Sequence, residues 1–196
     1  MQTTISTFEE YKKLLEKRLT PERFAHSLNV AQYAVYLAEK YSCGKNKAYL
    51  AGLLHDVMKN ASRDEQLAVL KKDNVSLTPC EYANRKLWHA MAGASFIKTE
   101  FSIEDADIIN AIRYHTTGRA KMSLLEKIIY ISDFNSEERT YNGVQTMRAL
   151  AEESLESAML FALRFCISDL TKKCIIIHPD SINCYNELLL NQKNGG

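Results

Sequence analysis

The sequence predicts an all-α fold, a single domain of about eight to ten helices, and three observations carry that prediction. Apolar residues recur at helical spacing almost throughout. Helix-start signals follow one another along the chain. Strand-length alternation is confined to Cys174–His178, which lies between two helical runs and reads as a connector. Only three prolines and seven glycines interrupt 196 residues, and 46% of the residues are hydrophobic. That is enough for one sizeable core.

Taken in order, Phe8, Tyr11, Leu15 and Leu19 make one amphipathic face, and Phe24, Leu28, Ala31, Val35 and Ala38 make the next. Thr20 before Pro21 reads as an N-cap with proline at the first helical position, where its missing N–H costs nothing. Gly44 reads as a helix terminator. Ser62 with Glu65, Thr78 with Glu81 and Ser123 with Glu126 have capping-box spacing, and Ser102 with Asp105 is a weaker version. Helical stretches end at His115 and at Asp133. The organisation is one domain over residues 1–190 and a frayed tail over 191–196.

Composition limits the function. The formal net charge is +1, so no electrostatic footprint points to nucleic acid. The runs Ile128–Ile131 and Cys174–Ile177 are far too short to cross a bilayer. The first residues lack the pattern of a signal peptide. Five widely spaced cysteines show no Cys-x-x-Cys pair and no disulfide framework. The expected setting is a reducing cytoplasm, without membrane or nucleic-acid partners.

Chemistry is carried by histidines and aspartates at the ends of apolar segments. His55 and Asp56 are adjacent in Gly52-Leu53-Leu54-His55-Asp56-Val57-Met58-Lys59. Neighbouring helical residues diverge by about 100°, so an imidazole and a carboxylate can approach one ion, with the second carboxylate oxygen free to bridge. His26, His89, His115 and Asp133 each sit in or at the end of a separate apolar helix. Buried ionisable groups need compensation, and a shared divalent metal centre would supply it for all six. Residue types alone admit Fe, Mn, Zn or Co.

The order His26, His55-Asp56, His89, His115, Asp133 resembles the HD phosphohydrolase superfamily, and more narrowly the YqeK family of symmetrical diadenosine tetraphosphate hydrolases. The matching pieces are Arg23-Phe24 with His26-Ser27, the His55–Lys59 run, Trp88-His89 with Gly93, His115-Thr116-Thr117-Gly118, Lys127–Tyr130 leading to Asp133, and Ile177-His178-Pro179. The resemblance covers residues from about 8 to 190, nearly the whole chain. The resemblance implies a first metal held by His26, His55, Asp56 and Asp133. Asp56 would bridge to a second ion, with His89 and His115 completing that site. It implies iron as the metal, one or two ions, with Mn or Zn compatible with the same ligands.

Lys59 and Arg139 are expected to join Asp56 as catalytic residues, since arginine's planar fork suits phosphate oxygens. For Lys59 a solvated helix-end role is the alternative. Thr116, Ile177 and His178 are expected to border the nucleotide, together with His26, Asp56, Lys59, His89, His115, Asp133 and Arg139. Thr116 and Thr117 would also suit a turn before Gly118. One stretch departs from the family. Where relatives carry an acidic residue and then proline before the arginine, this chain reads Phe134-Asn135-Ser136-Glu137-Glu138-Arg139.

The implied reaction is metal-dependent hydrolysis of a dinucleoside polyphosphate, diadenosine tetraphosphate, by a metal-activated water, with ADP as the product. Two alternatives remain at this point. One is hydrolysis of another nucleotide, a nucleoside monophosphate or a guanosine alarmone. The other is a metal-bound nucleotide sensor without turnover. A homodimer is left open.

Overall fold

The computed structural model describes residues 7–194 and is helical throughout. Eleven α-helices and one 3-10 turn are present among the described residues, and no strand, one helix more than the expected upper bound. They are α1 (Phe8–Arg18), α2 (Pro21–Lys40), α3 (Lys45–Leu54), α4 (Arg63–Lys72), α5 (Pro79–Ala83), α6 (Trp88–Glu100), α7 (Ala106–Tyr114), α8 (Leu124–Asn135), α9 (Val144–Glu153), α10 (Leu155–Lys172) and α11 (Pro179–Asn194). The 3-10 turn, Arg85–Leu87, runs directly into α6. The first residues, 1–6, and the last two, 195–196, lie outside the described part, as do the signal-peptide reading and the end of the expected tail.

Local chemistry sets most boundaries. Thr20 caps α2 by accepting from the Arg23 N–H, with Pro21 at the first helical position. Thr78 with Glu81 and Ser123 with Glu126 form reciprocal capping boxes, and Thr7 with Glu10 forms another at α1. Each such cap contributes about 1 kcal/mol. Ser62 caps α4 by accepting from the Glu65 N–H.

Three local expectations are corrected. Gly44 does not end α2. Ser42, at φ 57, takes the left-handed position after that helix, and Gly44 (φ −67) is the N-cap of α3. Ser102 is likewise left-handed (φ 54), and Asp105 caps α7 instead, accepting from the N–H groups of Asp107 and Ile108. The tail expected from residue 191 continues as α11 to Asn194. Cys174–His178 is a connector, as read from the sequence.

The core is organised around α8. Its Leu125, Ile128, Ile129, Tyr130 and Ile131 are all buried, the pattern of a helix covered on every side. Helices α2, α3, α7, α9 and α10 all pack against it. Helices α2 and α3 cross through small residues: Ala31, Ala34, Ala48 and Ala51 are fully buried. A β-carbon on Gly52 would stand 2.8 Å from Ala31 Cα, closer than real atoms allow. Glycine at this position is what lets the two backbones touch, and the crossing brings His26 on α2 to the end of α3. No described helix is long and apolar enough to cross a membrane.

Candidate metal centre

Five elements deliver six ligand-type side chains to one point. His26 projects from α2, and His55 and Asp56 follow the last turn of α3. His89 lies in the first turn of α6, His115 is the C-cap of α7, and Asp133 lies in the last turn of α8. All except Asp133 are buried. Three overlapping groups could each hold an ion: His26, His55 and Asp56; His55, His115 and Asp133; Asp56, His89 and His115. Within each, one ligand atom per residue lies within 4.8 Å of the others.

Two imidazoles are aimed by the backbone. Nδ1 of His55 lies 2.7 Å from the Gly52 carbonyl, and Nδ1 of His115 lies 2.8 Å from the Ile112 carbonyl. A carbonyl oxygen only accepts, so each Nδ1 carries the proton and each Nε2 presents a lone pair to the centre. Metal-ligating histidines are commonly held this way. The imidazoles crowd together, His55 lying 5.2 Å from His26 and 5.0 Å from His115 between ring centroids. His89 Nε2 and His115 Nε2 are 3.2 Å apart.

Asp56 is the hub. Its Oδ1 lies 3.1 Å from His89 Nε2 and 3.6 Å from His115 Nε2, and its Oδ2 lies 3.6 Å from His55 Nε2. Burial pushes its pKa up, but the histidines around it and Lys59 outweigh that and hold the carboxyl well below its ordinary range. Burial pushes His55 down to about 3 despite the Asp56 charge, and it lowers His89 too. Both are neutral at pH 7, the form that binds metals. Burial also works against the charged form of His26, but Asp133 and Glu138 prevail and raise its pKa.

The donor set fits a divalent ion on two counts. Nε2 of His55 and Oδ1 of Asp56 are buried without a hydrogen-bond partner, a costly arrangement that an ion would relieve. Neutral imidazoles and carboxylates are also the ligand types that borderline transition metals take.

Cations ring the cluster. Lys59 Nζ lies 3.0 Å from His89 Nε2 and 3.5 Å from Asp56 Oδ1, so it faces the site rather than solvent. Arg139 Nε donates to the Asp133 carbonyl at 2.8 Å, and its Nη2 pairs with the Asp133 carboxylate. The altered loop after α8 thus leaves Arg139 beside the cluster. Two clefts border it. One, about 280 Å³, is lined by Asp133, Phe134, Arg139, Tyr141 and Phe165. The other, about 420 Å³, opens beside Lys59 and His89.

Three expected site residues lie at the margin. Thr116 is half-buried next to His115. His178 is in none of the ion-holding groups; it lies 3.5 Å from both Glu81 Oε1 and Asp180 Oδ2. The Ile177 carbonyl accepts a long contact from Cys80 Sγ at 3.9 Å. The turn beyond them is tied to the site's edge, since Ser181 Oγ donates to the Thr117 carbonyl at 2.8 Å.

Three participants were not legible as such in the sequence. Glu138 accepts from His26 Nδ1 and, at 2.8 Å, from Asn29 Nδ2. Arg23 Nη1 lies 3.1 Å from Asp56 Oδ2. Arg148 donates to the carbonyls of Asn135, Ser136, Glu137 and Arg139, at 3.0–3.4 Å, and so shapes the loop that carries Glu138 and Arg139. Position Arg23, one turn before His26, was the available signal for the second of these.

Residues 23–134 match the HD domain family, a segment that contains all six ligand-type residues. Over 181 residues the chain is 38% identical to "Bis(5'-nucleosyl)-tetraphosphatase, symmetrical" of Halalkalibacterium halodurans, covering 92% of this chain and 96% of that one. It is 34% identical to the protein of the same name from Bacillus subtilis, covering 92% and 97%. A crystal structure from Clostridium acetobutylicum, described as a predicted HD superfamily hydrolase involved in NAD metabolism, superposes with a TM-score of 0.92 at 34% identity. It covers 95% of this chain and 99% of its own. The chain therefore belongs to the HD-domain family and, within it, to the group of bacterial hydrolases whose curated members are named symmetrical bis(5'-nucleosyl)-tetraphosphatase.

Proposed function

We propose that this protein hydrolyses diadenosine tetraphosphate symmetrically, by metal-activated water, to two molecules of ADP. The observation that carries the reading is the convergence of His26, His55, Asp56, His89, His115 and Asp133 with cationic side chains at their edge. His26, His55, Asp56 and Asp133 would hold one divalent ion, iron by family resemblance, and Asp56, His89 and His115 would hold a second. Such an ion supplies a nucleophile at neutral pH and neutralises phosphate charge.

The chain's own residues supply the rest. Lys59 and Arg139 are the donors for charge that develops on the phosphoryl oxygens as the anhydride opens, and fixed donors of this kind need no reorganisation. The Gly52 and Ile112 carbonyls keep the imidazoles of His55 and His115 in one tautomer through turnover. Thr116, Ile177 and His178 border the nucleotide on the α7 and α11 side. Five cysteines without a disulfide support a reducing cytoplasmic setting.

Product registry tests the reading. With one ADP-sized half held between Lys59, Thr116 and Arg139, water meets the second phosphorus from the adenosine. Chromatography of the earliest products of the iron- or manganese-loaded enzyme should show ADP alone. Equal amounts of ATP and AMP at those times would overturn the symmetrical reading, and absence of turnover would favour a nucleotide sensor.

A further inference from the structure

The second cleft beside the cluster is lined by Lys59, Ala61, Gln66, Arg85, Lys86 and His89. Three of these six are cations and none is a carboxylate. The cleft at the Arg139 end differs, since Asp133 and three aromatic rings line it. In a chain whose formal net charge is +1, a cleft with cations and no acid is a local choice of the fold. Arg85 and Lys86 are exposed, and neither forms an ion pair among the described residues. Structural salt bridges therefore do not account for them.

Their placement is fixed by the backbone. The 3-10 turn Arg85–Leu87 begins at Asn84, whose side chain accepts from the Lys86 N–H at 3.2 Å. The Trp88 N–H bonds back to the Arg85 carbonyl, and Trp88 Nε1 donates to the Glu81 carbonyl at 2.7 Å. Lys86 precedes His89 by three residues, the spacing that a 3-10 turn brings onto one face, and Arg85 lines the same cleft. Lys59 Nζ, 3.0 Å from His89 Nε2, closes the inner end. The result is a row of positive charge leading from the cluster to the surface.

The geometry points to a polyanion-binding subsite in this cleft, formed by Arg85 and Lys86 beyond Lys59, that takes the phosphates of the second nucleotide half. The inference rests on the reading proposed above, and it names the feature that separates a two-headed polyphosphate from a one-sided nucleotide. The primary half occupies the cluster and Arg139. Lys59 marks the end of that half, and phosphates beyond the cleaved anhydride extend past it to Lys86 and Arg85, where guanidinium and ammonium groups meet oxyanions.

The test compares the metal-loaded protein with its Arg85→Ala/Lys86→Ala variant. Lys13→Ala/Lys17→Ala on α1 serves as a control with the same change in charge. Calorimetric titration with inorganic tripolyphosphate should show affinity weakened about tenfold or more in the first variant and unchanged in the control. The KM for diadenosine tetraphosphate should rise by a similar factor while kcat holds, the signature of lost binding shared by ground and transition states. Wild-type affinity and KM in Arg85→Ala/Lys86→Ala would overturn the subsite. Weakening of equal size in the control would overturn it too, as general electrostatics. If wild-type protein does not cleave diadenosine tetraphosphate yet Arg85→Ala/Lys86→Ala loses tripolyphosphate, the substrate reading fails and the anion subsite stands.

Discussion

Glu138 accepts a hydrogen bond from Nδ1 of His26, a residue 112 positions earlier in the chain. The contact holds the His26 ring so that Nε2 faces Asp133, 3.0 Å away. Ser136 Oγ and Asn29 Nδ2 both donate to the Glu138 carboxylate at 2.8 Å, and these bonds, with His26, bring Glu138 down to about 2 although burial opposes that. The side chain is thus a fixed anion behind a candidate ligand. Glu138→Ala should keep the fold, read by circular dichroism, and lower metal affinity about ten- to a hundredfold. Glu138→Gln should recover part of it. Undiminished metal content in Glu138→Ala would remove this role.

Asp56 reaches three histidines, so its loss should empty the centre. Asp56→Ala is expected to abolish both bound metal, measured by elemental analysis, and turnover. His89→Ala should reduce the metal-to-protein ratio while retaining the ion held by His26, His55 and Asp133. Full metal occupancy and activity in Asp56→Ala would contradict a centre built on this carboxylate.

Arg139 lies against Asp133, at the edge where phosphates would enter. Arg139→Ala should reduce kcat about a hundredfold or more while metal content and melting temperature stay close to wild type. An unchanged rate would show that Arg139 is a structural partner of Asp133 and nothing more.

Glu81 gives a pH prediction away from the centre. Burial raises its pKa, but hydrogen bonds from Thr78 and the charge of Arg113 prevail, and the carboxyl is held below its ordinary 4.5. A depressed carboxylate contributes stability that is fully present above its unfolded pKa and fades as pH falls through the folded value. Glu81→Gln should therefore melt at a lower temperature than wild type at pH 6, with the gap closing as pH drops below about 4.5. A gap that stays constant down to pH 3 would indicate a contribution that is not electrostatic.

The fold class and the six clustered side chains could be read from residue type and spacing, because each of those residues ends or interrupts an apolar helical run. That is a local signal. Glu138 and Arg148 carry no such mark: they are charged residues in polar surroundings, and only tertiary placement turns them toward the cluster, while Arg23 is marked only by its place one turn before His26. Gly44 and Ser42 show the same limit at the backbone level. Glycine is the usual left-handed residue after a helix, yet here a serine two positions earlier takes that conformation, which composition alone does not reveal. The helical extension to Asn194 is similar, since a polar terminal stretch reads as frayed until it is seen to continue α11.

Gly52 has a consequence beyond close packing. Since even a methyl group there would meet Ala31 Cα at 2.8 Å, the separation of the α2 and α3 backbones, which carry His26 and lead to His55, is set by main chain against main chain. On that side the candidate centre therefore rests on a backbone contact that leaves no room to tighten. Any larger residue at position 52 would wedge α2 and α3 apart and carry His26 away from His55, so a position with no donor atom of its own governs whether the six side chains can meet.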